Sequence, residues 1–143
     1  MANIIKKAVV DTNILVSAFV FPDGLIREVI DMAFKKQIRL FTSGPLLEEY
    51  ARVLSRKFGR EHETIDKHIK MVTRLLIIVN PDISIDAVRS DPSDNKVLEC
   101  AVTAGADAVI SGDKHLLNMK RYKSIQIITP ADLLRQIYGH PGS

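Results

Sequence analysis

The chain is predicted to be an α/β protein: a three-layer sandwich with a central parallel sheet of four to five strands flanked by helices. Two observations predict this. Short apolar runs rich in β-branched residues, at 8–10, 38–42, 106–111 and 125–129, alternate with longer segments whose apolar residues recur at helical spacing. Two of those runs hand over abruptly to an aspartate, Asp11 and Asp113, which is how the carboxyl edge of an open α/β sheet is recognised in sequence.

Taken in order, residues 8–10 (Ala8, Val9, Val10) form the first strand, and Asn13 opens an apolar helical run through Ile14, Leu15, Ala18 and Phe19. Pro22 and Gly24 mark a turn. Leu25, Ile26, Val29, Ile30 and Ala33 give an amphipathic helix over 25–37, with Lys35 and Lys36 suited to its negative end. After the strand at 38–42, Ser43 is a plausible N-cap and Pro45 a first-turn residue for a helix over 45–57. Its stripe is Leu46, Leu47, Tyr50, Val53 and Leu54. At about 100° per residue, Glu48 lies roughly 160° from the middle of that stripe and faces water, whereas Glu49 lies on its border, roughly 100° away, and is able to point into a cleft. A charged helix over 61–75 follows, with Ile65, Ile69 and Val72 inward; His62 and His68, six apart, share no face and are expected in solvent. Residues 76–79 suit a short strand, and 80–90 is weakly structured.

The next helix opens with Asp91, a candidate N-cap, and Pro92. Asp94, Val97, Leu98, Ala101 and Gly105 follow one stripe, so Asp94 heads the inward face of the first turn, where the helix dipole favours its charge. Strand 106–111 ends on Ser111, followed by Gly112 for a tight turn or close approach and then Asp113; Asp107, at the other end, is surface. A helical turn at 115–119, the last strand at 125–129 and a Thr129/Asp132 capping box for a helix to about residue 138 complete the chain.

Composition bounds the rest. With 143 residues, 46% hydrophobic and 26% charged, the chain suits one domain over 1–139 with a flexible tail at 140–143. The single Cys100 excludes an intrachain disulfide and a cysteine zinc cluster. No secretory signal or spanning apolar run is present, so a cytoplasmic location is the default and no membrane association is expected. Lys and Arg total 20 against 17 Asp and Glu. Setting four acids aside in a metal-filled pocket leaves 13, a surface that would draw a polyanion towards an acidic site held by cations.

Asp11 and Asp113 end two strands at one edge, and Glu49 and Asp94 line helices facing it. Four carboxylates there repel unless cations are bound. Hard oxygen ligands without His or Cys favour Mg2+ or Mn2+, and such a site can activate water against a phosphoryl group. Spacing therefore carries the reading to metal-dependent phosphoryl-transfer chemistry.

Four segments in this order resemble the PIN-domain family across the whole chain: Val10-Asp-Thr-Asn-Ile-Leu15, Leu47-Glu-Glu-Tyr-Ala-Arg-Val-Leu54, Asp91-Pro-Ser-Asp-Asn-Lys-Val-Leu-Glu-Cys-Ala101 and Gly105-Ala-Asp-Ala-Val-Ile-Ser-Gly-Asp-Lys-His-Leu-Leu117. The chain is most similar to the prokaryotic VapC-type branch, the toxins of toxin–antitoxin pairs. The resemblance implies a Mg2+- or Mn2+-dependent endoribonuclease whose catalytic and metal-binding acids are Asp11, Glu49, Asp94 and Asp113. Asn13 and Ser111 would support them, with Ser111 standing where the family usually has Thr, and Asp91 is a fifth acid that could bind metal or cap its helix. It also implies a homodimer and a small antitoxin partner. Lys114, Lys120, Arg121, Arg52 and Arg56 are the nearest cations for an RNA substrate. Two other readings compete. A metal-dependent phosphatase usually needs a second acid two residues after its nucleophilic Asp, and here that position is Asn13. A non-cleaving module that holds RNA or a partner would be signalled by missing acids, and all four are present.

Overall fold

The computed structural model of the chain describes residues 5–21, 23–88 and 92–139. At its centre lies a six-stranded sheet with strand order β3-β2-β1-β4-β6-β5. The strands are β1 (Lys7–Val10), β2 (Arg39–Ser43), β3 (Ile77–Val79), β4 (Ala108–Ile110), β5 (Arg121–Tyr122) and β6 (Ile125–Ile128). The first three, β4 and β6 pair in parallel, and the short β5 runs antiparallel to β6 at the edge. The five parallel strands are the expected sheet; β5 is an addition to it.

Alternation along each strand sorts the core into two halves. Ala8, Val10, Leu40, Ala108, Ile110 and Ile128 face one apolar cluster. It is closed by α1 (Thr12–Val20), α2 (Leu25–Phe34), α3 (Gly44–Phe58), α4 (His62–Leu75) and α7 (Pro130–Tyr138). Val9, Phe41, Val109, Ile125 and Ile127 face the other, under α5 (Pro92–Ala104) and α6 (Lys114–Met119). Helices on both faces bury the central strands, where Ala8, Val9, Val109 and Ile110 are wholly inaccessible, while Ile77 and Ile78 of the edge strand β3 stay exposed. Among the described residues, no helix is long and apolar enough to cross a membrane.

Local chemistry sets the boundaries. Ser43 caps α3, its Oγ accepting from Leu46 N–H at 3.4 Å, with Pro45 in the first turn. Thr129 and Asp132 form the expected capping box of α7. Helix α2 stops at Phe34, three residues before the expected end, and the chain leaves it through Lys36 at φ +61°. Gly105, at φ +64°, turns the end of α5 back into β4, helped by Ala106 N–H donating to Ala101 O at 2.9 Å. The connection is so short that α5 runs antiparallel to β4, which puts its first turn at the carboxyl edge of the sheet.

One expectation fails here. His68 is half-buried rather than solvated: the phenol of Tyr50, fully inaccessible on α3, is hydrogen-bonded to His68 Nδ1, and the imidazole meets the Phe19 ring edge-on at 5.0 Å. Helix α4 carries more of its circumference against α1 and α3 than its single apolar stripe suggests. Burial lowers the His68 pKa. The expected tail at 140–143 and the Asp91 cap lie outside the described residues.

Candidate active site

Four segments reach the carboxyl edge with an acid attached. Asp11 follows β1 and occupies the N-cap position of α1, its backbone extended (φ −64°, ψ 149°) and its carbonyl accepting from Ile14 and Leu15 N–H. Its side chain makes no capping hydrogen bond. Extended backbone carries the strand's alternation one residue further, so Asp11 falls on the Val9 side, the side covered by α5. There it is 5% exposed and accepts from Ser111 Oγ at 2.7 Å. Ser111 is itself wholly buried at the end of β4 and accepts from Asp113 N–H at 3.0 Å. One hydroxyl therefore ties the ends of β1 and β4 together.

Burial is the largest influence on Asp11 and raises its pKa. The Ser111 hydroxyl and the Thr12 N–H oppose that rise, the Asp113 charge reinforces it, and the Asn13 N–H opposes it weakly. No basic side chain is among these influences. The carboxylate is held where its ionised form is costly and where a cation would relieve the cost.

Glu49 lies in the second turn of α3, half-buried, and its Oε2 accepts from Thr12 Oγ1 at 3.4 Å. It turns towards Thr12 in the first turn of α1, as its place on the border of the apolar stripe predicts, while Glu48 is exposed. Thr12 is 3% exposed and is the residue sequence reasoning missed; its place in the first turn of α1, beside Asp11, was the available signal. Asn13 has an exposed side chain, and what it offers Asp11 is its backbone N–H.

Asp94 sits in the first turn of α5, 4% exposed. It shares the stripe of Val97, Leu98 and Ala101, all packed on the sheet face that Asp11 joins. Asp113 N-caps α6, its Oδ1 accepting from His115 N–H at 2.7 Å and Leu116 N–H at 3.4 Å, so one of its oxygens is spent on the helix. Gly112 has no steric need to be glycine: a Cβ there would meet only Ile14 Cδ1, at 3.9 Å. Asp107 stays at the opposite edge, where its Oδ2 takes the Lys6 and Lys7 N–H groups at 2.9 and 3.0 Å.

The cations divide by position. Lys114 adjoins Asp113 and Arg52 lies one turn beyond Glu49 on α3, while Arg56 lies in the last turn of that helix, away from the edge; all three are exposed. Lys120 and Arg121 lie further off. Arg121 is in register with Gln126, which pairs with Ala108 at the start of β4, and Lys120 O accepts from Ile127 N–H. Helix α6 has carried them a full length down the sheet, away from the edge where the acids gather.

The donors at this edge are all oxygens, two of the carboxylates are buried, and Asp11 is destabilised as an anion. That donor chemistry fits a hard divalent cation. Among the described residues no three His, Cys, Asp or Glu side chains close up as a ready-made ligand group in this conformation. The acids are gathered at one edge without forming a closed cage.

Comparison with known proteins gives three findings. A family model described as a PIN domain matches residues 7–115. An uncharacterized protein, MJ1680, of Methanocaldococcus jannaschii is 32% identical over 124 residues, covering 84% of this chain and 79% of the relative. Among solved structures, VapBC2 from Rickettsia felis, crystallised with a DNA fragment from its promoter, includes a chain that superposes with a TM-score of 0.61 at 16% identity. The match covers 85% of this chain and 96% of that one, a likeness of fold.

Proposed function

Because the chain belongs to the PIN-domain family, we propose that it is a metal-dependent endoribonuclease of the toxin–antitoxin type, cutting RNA phosphodiester bonds with water. The observation that carries this reading is the Asp11–Ser111–Asp113 arrangement: a buried, charge-strained carboxylate held in place by a hydroxyl, with a second acid alongside. An ion of the Mg2+ or Mn2+ class, when bound, would lower the pKa of a coordinated water and neutralise charge on the phosphate.

In this reading Asp11 and Asp94 hold the ion, and Asp113 and Glu49 complete the acidic edge and orient the attacking water. Ser111 fixes the Asp11 carboxylate from below by donating to one oxygen, leaving the other to turn outward. Thr12 does the same for Glu49 from the first turn of α1. Lys114 and Arg52 lower the local repulsion that an incoming phosphodiester meets. The cytoplasm is the compartment this chemistry suits.

A protein partner follows from the same reading. The neighbour was solved as VapBC2 bound to a DNA fragment from its promoter, and here α1, α2, α4 and the end of α3 leave a cleft of about 690 Å3 lined by Phe19, Val20, Ile26, Phe34, Phe58 and Met71. We assign this apolar cleft to an antitoxin, and a homodimer to the assembly. Co-expression with the product of an adjacent small reading frame tests the assignment: a stable complex that disappears in Phe34→Asp supports it, and a complex indifferent to that change contradicts it. The nuclease reading itself is tested by incubating purified protein with labelled RNA, with and without Mg2+ or Mn2+. Metal-dependent cleavage that disappears in Asp11→Asn supports it.

A further inference from the structure

After β3, residues 85–88 form a strap lying along α5 with its direction reversed. Glu99 Oε2 accepts from Ile85 N–H at 3.0 Å. One helical turn earlier, Asn95 Oδ1 accepts from Ala87 N–H at 3.0 Å and Val88 N–H at 2.8 Å, while its Nδ2 donates to Val88 O at 2.8 Å. Asn95 is 6% exposed, and Ile85 and Val88 pack into the apolar cluster beneath. The two N–H donors and one carbonyl allow a single amide orientation, and only Asn or Gln combines acceptor and donor in this way. Gln is one methylene longer, so Asn is the fitting residue.

The bonds from Val88 fasten α5 at Asn95, the residue next to Asp94. First turns of helices fray because their leading N–H groups lack intrahelical partners. Here the first turn of α5 is tied at residue 95 to a strap that is itself pinned by Glu99 and by the packed side chains of Ile85 and Val88. We propose that Asn95 is a positioning residue for the acidic edge: it holds the first turn of α5 closed so that Asp94 is presented to the ion. The proposal rests on the nuclease reading for its functional meaning, but its structural content stands apart from it.

The test compares Asn95→Ala and Asn95→Asp with Glu99→Ala, which releases the other end of the same strap. Asn95→Asp keeps two of the three bonds, removes the donor and puts a charge beside Asp94; it also serves if Asn95→Ala fails to fold. Amide hydrogen exchange at Lys96, Val97 and Leu98, whose helical bonds close on the first turn, is expected to rise about tenfold or more in both Asn95 variants. In Glu99→Ala it should stay within about twofold of wild type, with extra exchange confined to the strap around Ile85. Mn2+ binding, read by calorimetry, should weaken about tenfold or more in the Asn95 variants and little in Glu99→Ala, in the range seen when groups that orient metal ligands are removed. Unchanged exchange at 96–98 in folded Asn95 variants, or an equal rise in Glu99→Ala, overturns the proposal. A wild type that binds no Mn2+ and cuts no RNA would defeat the nuclease reading instead, and the exchange comparison would still decide whether Asn95 closes the turn.

Discussion

Asp11 shows how far a single side chain can be read. Its place after a buried strand is legible in sequence, and so is the competing role of capping α1. The structure separates the two: the backbone caps, while the side chain turns to Ser111. Burial raises its folded pKa above the ordinary 3.8. A group raised in this way contributes stability that is fully present below its unfolded pKa and is lost as pH rises through the folded pKa. In metal-free protein Asp11→Asn is therefore expected to melt at or above wild type at pH 7, an advantage that closes as the pH approaches 3.8. Melting curves across pH 4–8 check this, and a variant that melts well below wild type at pH 7 would give Asp11 a structural role. Ser111→Ala should leave the fold intact and lower activity by about 10–100-fold, the usual effect of removing a group that orients a metal ligand. Its readout is kcat at saturating metal alongside the melting temperature.

At the scale of elements, α3 and α4 are joined by the Tyr50–His68 hydrogen bond, with Phe19 against the imidazole. Burial disfavours the charged imidazolium at this junction. The folded pKa of His68 is lowered. Its contribution is therefore present above the unfolded value near 6.5 and falls away as pH drops through the lowered folded value. His68→Phe should cost about 1–3 kcal/mol at pH 7, leaving the Tyr50 hydroxyl buried without its hydrogen-bond partner, and should flatten the acid limb of the stability profile. Adding Tyr50→Phe should recover most of that stability. Denaturant titrations at pH 5 and 7 check both. This pairing also marks the limit of what periodicity can give. The five parallel strands, the helices and the Ser43 and Thr129 caps, which rest on local spacing or local chemistry, were readable, as was the inward turn of Glu49. The burial of His68 depends on how α4 lies against two other helices, which no residue in α4 announces. Strand β5 was equally hidden: it has two residues, and the turn after it uses Lys123 at φ +55° where a hairpin signal would show Gly or Asn. Asn95 was visible as a letter in a motif, yet its partners are the backbone of 87 and 88, and backbone groups leave no signature in composition.

Across the whole molecule, one edge of the sheet collects the acids while most of the positive charge is spread over the surface. Sequence distance suggested Lys114, Lys120 and Arg121 as one cluster; the fold keeps Lys114 at the edge and carries the other two down the sheet with α6. RNA binding should therefore depend on Lys114 and Arg52, since α3 carries Arg56 to its last turn, away from the edge. In an Asp11→Asn background, each phosphate left without its cation should flatten the salt slope by roughly 0.7. Replacing Lys114 and Arg52 with Ala should accordingly flatten it more than replacing Lys120 and Arg121. Equal effects from both sets would move the RNA path onto the face of α6. The central claim is that this edge is a metal-dependent nuclease site, and cleavage of single-stranded RNA by the purified protein tests it most directly. Cleavage that needs Mg2+ or Mn2+, is abolished by chelator and falls about 100-fold or more in Asp11→Asn is the expected result. Cleavage indifferent to metal and to Asp11, or none by folded protein with the metal present, would contradict it.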